Sequence, residues 1–160
     1  GHYAALCNKK DFFALAKVSR SSFLTSFLDY FRSSLGMKIL WTNKQSFQKD
    51  LIKVLRIKGS VGFLMDQKPQ GRIGVEVDFL GRKTPFVKGP AYLAKRYKKP
   101  IVVAFCLREK NESYRLQAEL IGLEKIKNLS VEDLTQLLAT KISNEIKTYP
   151  HEWVWSYKRW

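Results

Sequence analysis

A short apolar run that ends in two polar residues, VGFLMDQ at residues 61–67, constrains the fold more than any other stretch of the chain. Its apolar residues predict a buried strand over 61–65, which carries the carboxylate of Asp66 and the amide of Gln67 to its C-terminal end. Ligands of open α/β sheets bind at that end of the strands. We therefore expect the functional site around Asp66 and Gln67.

The residues that follow this strand allow two interpretations. Glycines flank Arg72 in the loop at 71–74, an alternating stretch covers 75–80, and a turn is predicted at 81–84. In the first interpretation these pieces form a flexible, basic lip over a polar pocket. In the second they are an ordinary strand, hairpin and helix with solvated lysines, and spacing alone favours the second.

Read in order, the same residues resemble the bacterial lipid A biosynthesis acyltransferases, the lauroyl and myristoyl transferases that add secondary acyl chains to the lipid A precursor. The match rests on Asp66, Gln67, the loop 71–74, the FLG at 79–81, Thr84, Gly89 and the AYLA at 91–94. The ending YPHEWVWSYKRW at 149–160 is similar to that family's closing pattern of a proline, spaced tryptophans and a basic, aromatic finish. The resemblance covers roughly residues 3–160.

Strand and helix patterns alternate along the chain, which predicts a mixed, mainly parallel sheet flanked by helices. The resemblance implies the same α/β class with a glycerolipid-acyltransferase-like fold, and a single domain over 1–160 that is incomplete at its N-terminal side. Strands are predicted at 11–18, 37–41, 61–65, 75–80, 101–107 and 114–120, and helices at about 22–35, 46–58 and 89–97 and from Ser130 onward.

The spacing of the apolar side chains also predicts which of them form the core. Phenylalanines between Phe23 and Phe31 repeat at helical spacing, so we expect that stripe to be buried. We expect burial of Phe12 and Phe13, and of the Trp153 and Trp155 pair, as well. Cys106 lies inside an apolar run and is predicted to be a small buried thiol in a reducing compartment.

Charge limits the class of partner. The chain has 160 residues, 45% of them apolar, which suits one domain with a sizeable core, and a formal net charge of +15. Between Phe79 and Arg108 there are eight Lys or Arg residues and no carboxylate. Nucleic acid, an anionic membrane, a phosphorylated lipid or an acidic protein would all suit such a field.

The longest apolar run, 101–107, is far shorter than the ~20 residues of a spanning helix, so we expect the chain not to cross a membrane by itself.

Acyl transfer to a hydroxyl requires a base, and histidine has a suitable pKa. The resemblance implies a histidine after a glycine, with an acidic residue five positions later. Gly1 and His2 match the first half, but the fifth position after His2 is Cys7. Either a segment between His2 and Tyr3 is absent from the printed sequence, or Gly1 and His2 are a cloning remnant, with natural loss of the acid as a third alternative. This chain is expected to be inactive by itself.

The resemblance implies a role for further residues. Arg20 matches the family's arginine at a strand end, where a guanidinium binds anionic groups. Asp66 is either a site carboxylate or the ion-pair partner of Arg20 or Arg72. The predicted catalytic residues are thus His2 and Arg20, and the predicted substrate-binding residues are Asp66, Gln67, Arg72, Arg82, Lys83, Thr84 and Lys88.

The resemblance also implies an acyl carrier protein thioester as donor, a lipid A precursor as acceptor, and no metal or organic cofactor. It implies a location on the cytoplasmic face of the bacterial inner membrane, with the membrane anchor outside this chain. The alternative function is that of a basic nucleic-acid-binding domain. Against it, the aromatic residues follow core spacing and do not alternate with basic residues on one strand. A third alternative is a scaffold that binds neither ligand.

Overall fold

The computed structural model describes residues 11–18, 21–34, 36–57, 59–69 and 74–160. The chain divides into two compact units, the first ending at Phe63 and the second beginning at Leu64. The predicted single domain with an incomplete N-terminal side stays a prediction.

The first unit is built on a three-stranded parallel sheet in the order β2-β1-β3. The central strand β1 (Phe12–Ala16) pairs with β2 (Met37–Trp41) on one side and with β3 (Ser60–Gly62) on the other. Helices α1 (Ser22–Ser33) and α2 (Phe47–Arg56) connect the strands. Parallel neighbours need such crossover helices, so this part of the sequence prediction is confirmed.

Helix α2 has the amphipathic pattern of a helix that covers a sheet. It buries Leu51, Val54 and Leu55. Its C-terminal end leads directly into β3, because the N–H of Gly59 donates to the Val54 carbonyl at 3.0 Å.

The predicted strand over 61–65 is wrong in its extent. Strand β3 ends at Gly62 and pairs with β1 only from Phe12 to Ala14, although β1 itself continues to Ala16. Close approach to β1 explains the glycine, since a Cβ at Gly62 would lie 2.8 Å from the Phe12 ring. Asp66 therefore does not lie at the end of β3 but in an irregular segment of the second unit.

Helix α1 begins as predicted and packs differently. The Ser21 hydroxyl accepts a hydrogen bond from the Leu24 N–H at 3.3 Å, which is an N-cap. However, none of its residues is buried, and Phe23 and Phe27 are 79% and 54% exposed. The predicted buried stripe is wrong, because helical spacing shows that a helix has an apolar face and not what covers that face. Phe12 and Phe13 of β1 are only half-buried.

The second unit combines two antiparallel strand pairs with three helices and a short 3₁₀ turn, Pro150–Glu152. Strands β4 (Val75–Phe79) and β5 (Arg82–Phe86) form one pair, and β6 (Ile101–Arg108) and β7 (Tyr114–Ile121) form the other. The helices are α3 (Gly89–Tyr97), α4 (Leu123–Asn128) and α5 (Val131–Thr148). Helix α5 packs against β4 and α3, and its buried residues include Leu134 and Leu138.

The β4–β5 hairpin favours the second interpretation for residues 75–84, while residues 71–73 lie outside the described residues. Leu80 and Gly81 both have positive φ, 52° and 82°, which is the geometry of a two-residue hairpin turn. The chain therefore folds back at Leu80, and residues 82–86 pair with 75–79. The predicted turn at 81–84 is wrong, since Arg82, Lys83 and Thr84 lie in a strand, and these three residues do not form a flexible lip.

The mixed α/β class is confirmed, but a mainly parallel sheet is not observed. Of the three sheets in the described part of the chain, one is parallel and two are antiparallel pairs. Strand β6 alternates between half-buried and exposed residues along most of its length, and Cys106 is exposed. The predicted buried thiol is therefore wrong. No helix of the described residues is long and apolar enough to span a membrane.

Candidate functional site

Three segments of the second unit meet in one cluster of aromatic and charged side chains. They are the irregular segment 64–69, the β4–β5 hairpin and the closing residues 153–160. We call the following group the arginine–tryptophan cluster: Asp66, Phe79, Thr84, Phe86, Trp153, Arg159 and Trp160.

Arg159 is the centre of this cluster. Its side chain is 1% exposed, which is rare for a charged residue, and its Nη2 donates to the Pro85 carbonyl at 2.7 Å. The guanidinium lies 4.6 Å from the Phe86 ring centroid and 5.6 Å from that of Phe79. Cation–π attraction to these rings offsets part of the cost of burying the charge.

Two tryptophans connect the closing residues to the other two segments. The indole N–H of Trp153 donates to the Asp66 carboxylate at 3.3 Å, and that of Trp160 donates to the Thr84 hydroxyl at 2.9 Å. Both indoles also contact Phe79, at ring-centroid distances of 5.9 and 6.2 Å. The apolar bodies of these partly exposed side chains contribute to the cluster while their N–H groups find acceptors, as is usual for tryptophan at the edge of a core.

A further contact holds the segment 64–69 in place. The Tyr157 hydroxyl accepts a hydrogen bond from the backbone N–H of Lys68 at 3.0 Å. Together with the bond from Trp153 to Asp66, it fixes a segment that has no regular secondary structure. The position of Asp66 is therefore set by the closing residues, which lie far from it in the sequence.

Burial and nearby negative charges shift the pKa of the Arg159 guanidinium in opposite directions. Burial lowers the pKa of its guanidinium, since a low-dielectric surrounding disfavours the charged form. The negative charges that Tyr157 and Asp66 can carry act in the other direction and raise that pKa. The geometry agrees, because Trp153 contacts both Asp66 and Phe79, and Phe79 in turn contacts the Arg159 guanidinium.

The structure places the predicted substrate-binding residues in different surroundings. Arg82 is exposed, with its guanidinium 5.6 Å from the Trp160 ring, and Gln67 is exposed next to Asp66. Lys83 is exposed and pairs with Asp78 across the hairpin at 3.1 Å, and Lys88 is exposed at the start of α3. Thr84 is fully buried, and its hydroxyl also donates to the Arg82 carbonyl at 3.0 Å.

The remaining predicted site residues, His2, Arg20 and Arg72, lie outside the described residues, as does Cys7. Asp66, Thr84 and Arg82 are the predicted residues that the structure brings together. Their roles in binding substrate stay predictions.

Sequence reasoning missed Arg159. The closing pattern at 149–160 is part of the family resemblance, but the sequence predicts burial for Trp153 and Trp155 and not for Arg159. The structure shows Trp153 half-buried and Trp155 58% exposed, so the predicted burial of the pair is wrong for Trp155. The residue of this stretch that is fully buried is an arginine.

Among the described residues, no group of three or more His, Cys, Asp or Glu side chains is arranged to hold a metal ion. The arginine–tryptophan cluster offers a buried cation, a carboxylate and aromatic surfaces. Such a set can bind an oxyanion or position a polar loop.

Comparison with known proteins identifies the class to which this fold and cluster belong. Residues 6–160 match the family model described as bacterial lipid A biosynthesis acyltransferase. The match spans nearly the whole chain, so the chain belongs to this family, as the resemblance in its sequence indicates. Family membership assigns it acyl transfer in lipid A biosynthesis. A search of curated proteins finds no match.

Proposed function

We propose that this chain acts as a secondary acyltransferase, which moves a fatty acyl chain from an acyl carrier protein thioester to a hydroxyl of a lipid A precursor. The observation that carries this proposal is the family match over residues 6–160. The arginine–tryptophan cluster supports it, because the cluster joins the Asp66 segment to the closing residues. These are the two stretches on which the resemblance to the family rests.

In the proposed reaction the hydroxyl oxygen of the acceptor attacks the thioester carbonyl carbon. The carbon–sulfur bond then breaks, and the thiolate leaves and takes up a proton. His2 is the proposed general base that removes the proton of the hydroxyl. Arg20 is proposed to hold anionic groups of the substrates near the reacting atoms.

The exposed residues near the hairpin suit an anionic acceptor. We propose that Arg82, Lys88 and Gln67 contact the lipid A precursor, and that Lys83 does so in exchange for its pair with Asp78. The surplus of basic residues, with a net charge of +15, favours the anionic cytoplasmic face of the inner membrane and an acidic acyl carrier protein.

The acyl chain needs apolar surface that is open to solvent. The first unit has a cleft of about 350 Å³ between the sheet and α2, lined by residues that include Phe13, Leu40, Trp41, Phe47 and Val54. Its lining is mainly apolar, which suits a hydrocarbon chain. We propose this cleft as the place where the transferred chain rests.

The test is an acyl-transfer assay with purified lipid A precursor and acyl carrier protein charged with a fatty acid. An active protein raises the mass of the precursor by one acyl group, whereas the 160 residues of the printed sequence are expected to be inactive by themselves. Replacing the base, His2→Ala, is expected to lower the rate by about 100-fold or more. His151→Ala is the matched control, because His151 is the other histidine of the chain and is exposed in the 3₁₀ turn.

Two outcomes of this assay would contradict parts of the proposal, and a third concerns the activity of this chain by itself. If coenzyme A thioesters serve as donor and the acyl carrier protein does not, the proposed donor is wrong and acyl transfer stands. If His2→Ala and His151→Ala both keep full activity, His2 is not the base. If no donor yields an acylated precursor, this chain is not active by itself. In that case its intact mass shows whether the protein holds residues beyond the 160 of the printed sequence.

A further inference from the structure

Arg159 carries hydrogen-bond donors that the rest of the described chain does not use. Its Nη2 is bonded to Pro85, but its Nε and Nη1 are buried and have no hydrogen-bond partner among the described residues. Buried donors without acceptors are costly, and a charged donor more so. Native proteins keep such groups mainly where a ligand, an ion or water pairs with them.

The surroundings of the free donors indicate which ligand fits. Guanidinium groups favour the oxygens of phosphate and carboxylate. Here the nearby Asp66 carboxylate would repel a ligand that carries only negative oxygens. It would attract one that also carries a hydroxyl, because a carboxylate accepts a hydrogen bond from an O–H group. A phosphate monoester with one proton has both features.

We infer that Arg159 and Asp66 form a binding site for a phosphate monoester, with Arg159 donating to its anionic oxygens and Asp66 accepting a hydrogen bond from its remaining P–OH group. Arg82, exposed beside Trp160, adds a second positive charge at the edge of the cluster. The site lies within the cluster described above and depends on the proposed function only for the source of the phosphate, which is either a lipid headgroup or a soluble ester.

Ligand binding requires the side chains around Arg159 to shift, since the guanidinium is 1% exposed. Trp153 and Trp160 both contact Phe79, which in turn contacts Arg159, and Trp160 is 45% exposed. The tryptophan fluorescence of the chain is therefore expected to change when the ligand binds, which provides a direct readout.

The test compares three soluble anions by fluorescence titration and calorimetry of the whole chain at about pH 6, near the second pKa of a phosphate monoester. They are glycerol phosphate, a monoester; dimethyl phosphate, a diester without a P–OH group; and sulfate, which carries no proton. We expect glycerol phosphate to bind at least about tenfold more tightly than the other two. Equal binding of all three anions would overturn the role of Asp66.

Variants separate the two groups of the site. Asp66→Asn is expected to remove the preference for the monoester over sulfate. Arg159→Lys keeps the charge but loses the planar fork of donors, so we expect at least about tenfold weaker binding of glycerol phosphate. Arg159→Met is expected to abolish binding. Arg108→Met removes an exposed arginine that pairs with Glu112 in the same unit, and it serves as the control for the loss of charge.

A purely structural Arg159 would give a different pattern. Arg159→Met would then lower the melting temperature while glycerol phosphate bound the wild-type chain no better than sulfate. If Arg159→Met does not fold, Arg159→Lys and Asp66→Asn, checked by circular dichroism, still decide the question. If the wild-type chain binds glycerol phosphate and none of these variants changes that binding, the proposed site is wrong.

The source of the phosphate is tested with vesicles of equal surface charge. One set contains phosphatidic acid, a lipid phosphate monoester, and the other contains phosphatidylglycerol, a diester. Binding that prefers phosphatidic acid and is lost in Arg159→Met supports the site with a lipid source. Equal vesicle binding together with tight glycerol phosphate binding supports a soluble source. If the chain is inactive in the acyl-transfer assay and still selects the monoester, this site stands without acyl transfer by the chain itself.

Discussion

A single buried hydroxyl connects the hairpin to the end of the chain. Thr84 is fully buried, donates to the Arg82 carbonyl and accepts from the Trp160 indole. Thr84→Val keeps the shape of the side chain and removes both bonds. Because the Trp160 side chain is partly exposed, water can replace one partner, and we expect the free energy of unfolding to fall by about 1–2 kcal/mol. Urea denaturation followed by circular dichroism measures it.

Thr148→Val is the matched control for this change. Thr148 is exposed and bonds only to a carbonyl of its own helix, at Asn144. We expect a change within about 0.5 kcal/mol there. An equal loss in both variants would show that the bond to Trp160 adds no stability.

At the level of single residues, the sequence located Asp66 and Thr84 through their order along the chain. The sequence did not indicate that Arg159 is buried, and the reason is physical. An arginine near a chain end is usually exposed, and the carbonyl that receives its hydrogen bond lies 74 positions earlier, so no local periodicity links the two. Only the folded chain shows that Phe79, Phe86 and Pro85 surround this position.

At the level of elements, helix α4 depends on a lysine from another helix. The Lys95 ammonium of α3 donates to the carbonyls of Ile126, Lys127 and Leu129, at or near the C-terminal end of α4. Lys95→Met is expected to lower the free energy of unfolding by about 1–2 kcal/mol, since carbonyls near a helix end lose a charged donor. Chemical denaturation measures the loss.

The neighbouring Arg96 provides the comparison, because it is exposed and its guanidinium lies 6.0 Å from the Tyr97 ring. Arg96→Met should change stability by less than about 0.5 kcal/mol. If both variants lose the same stability, the effect comes from charge or helix propensity and not from the capping of α4.

The end of α3 offers a change that should stabilise the chain. Lys98 follows α3 with φ 50° and ψ 55°, the left-handed conformation that favours glycine. Lys98→Gly relieves this strain, and after the entropy that glycine adds to the unfolded chain we expect a gain of up to about 1 kcal/mol. Lys98→Ala, which keeps a Cβ, should bring no gain. A glycine variant no more stable than the alanine variant would contradict the backbone explanation.

Most helices and strands could be predicted from the sequence, because their local signals agree with their surroundings. The helix after Ser130 is an example, since Ser130 caps α5 through the Asp133 N–H at 2.9 Å. Helix α4 was not predicted. It is short, with Ile126 as its buried residue, and much of what holds its end comes from Lys95. Strand β3 was predicted too long because an apolar run does not show how many residues its neighbour can pair.

At the level of the whole molecule, local patterns do not determine which strands become neighbours. Alternating strands and helices predicted one mainly parallel sheet, and they describe the first unit correctly. In the second unit the turn at Leu80 and Gly81 joins adjacent strands directly, and β6 and β7 pair across the turn that includes Glu112, also at positive φ. Positive φ at leucine and glutamate is uncommon, so the sequence does not show the backbone conformation of two of these three turn residues.

The charge of the whole chain leads to a last prediction, which also separates the lipid function from nucleic-acid binding. Many described carboxylates already have a cationic partner, among them Asp11, Asp50, Asp78, Glu109 and Glu119, so the excess of +15 is left to act on other molecules. We expect the chain to bind phosphatidylglycerol vesicles at about 50 mM NaCl and to lose at least tenfold in affinity at about 500 mM, where charges are strongly screened.

A single-stranded oligonucleotide should not bind at about 150 mM NaCl, because the described residues show no strand on which exposed aromatic and basic side chains alternate as a stacking platform. Fluorescence anisotropy and vesicle sedimentation measure the two affinities at each salt concentration. Oligonucleotide binding as tight as vesicle binding at that salt would favour the nucleic-acid-binding alternative, because a lipid-directed surface gives no reason for a base-stacking contribution that survives screening.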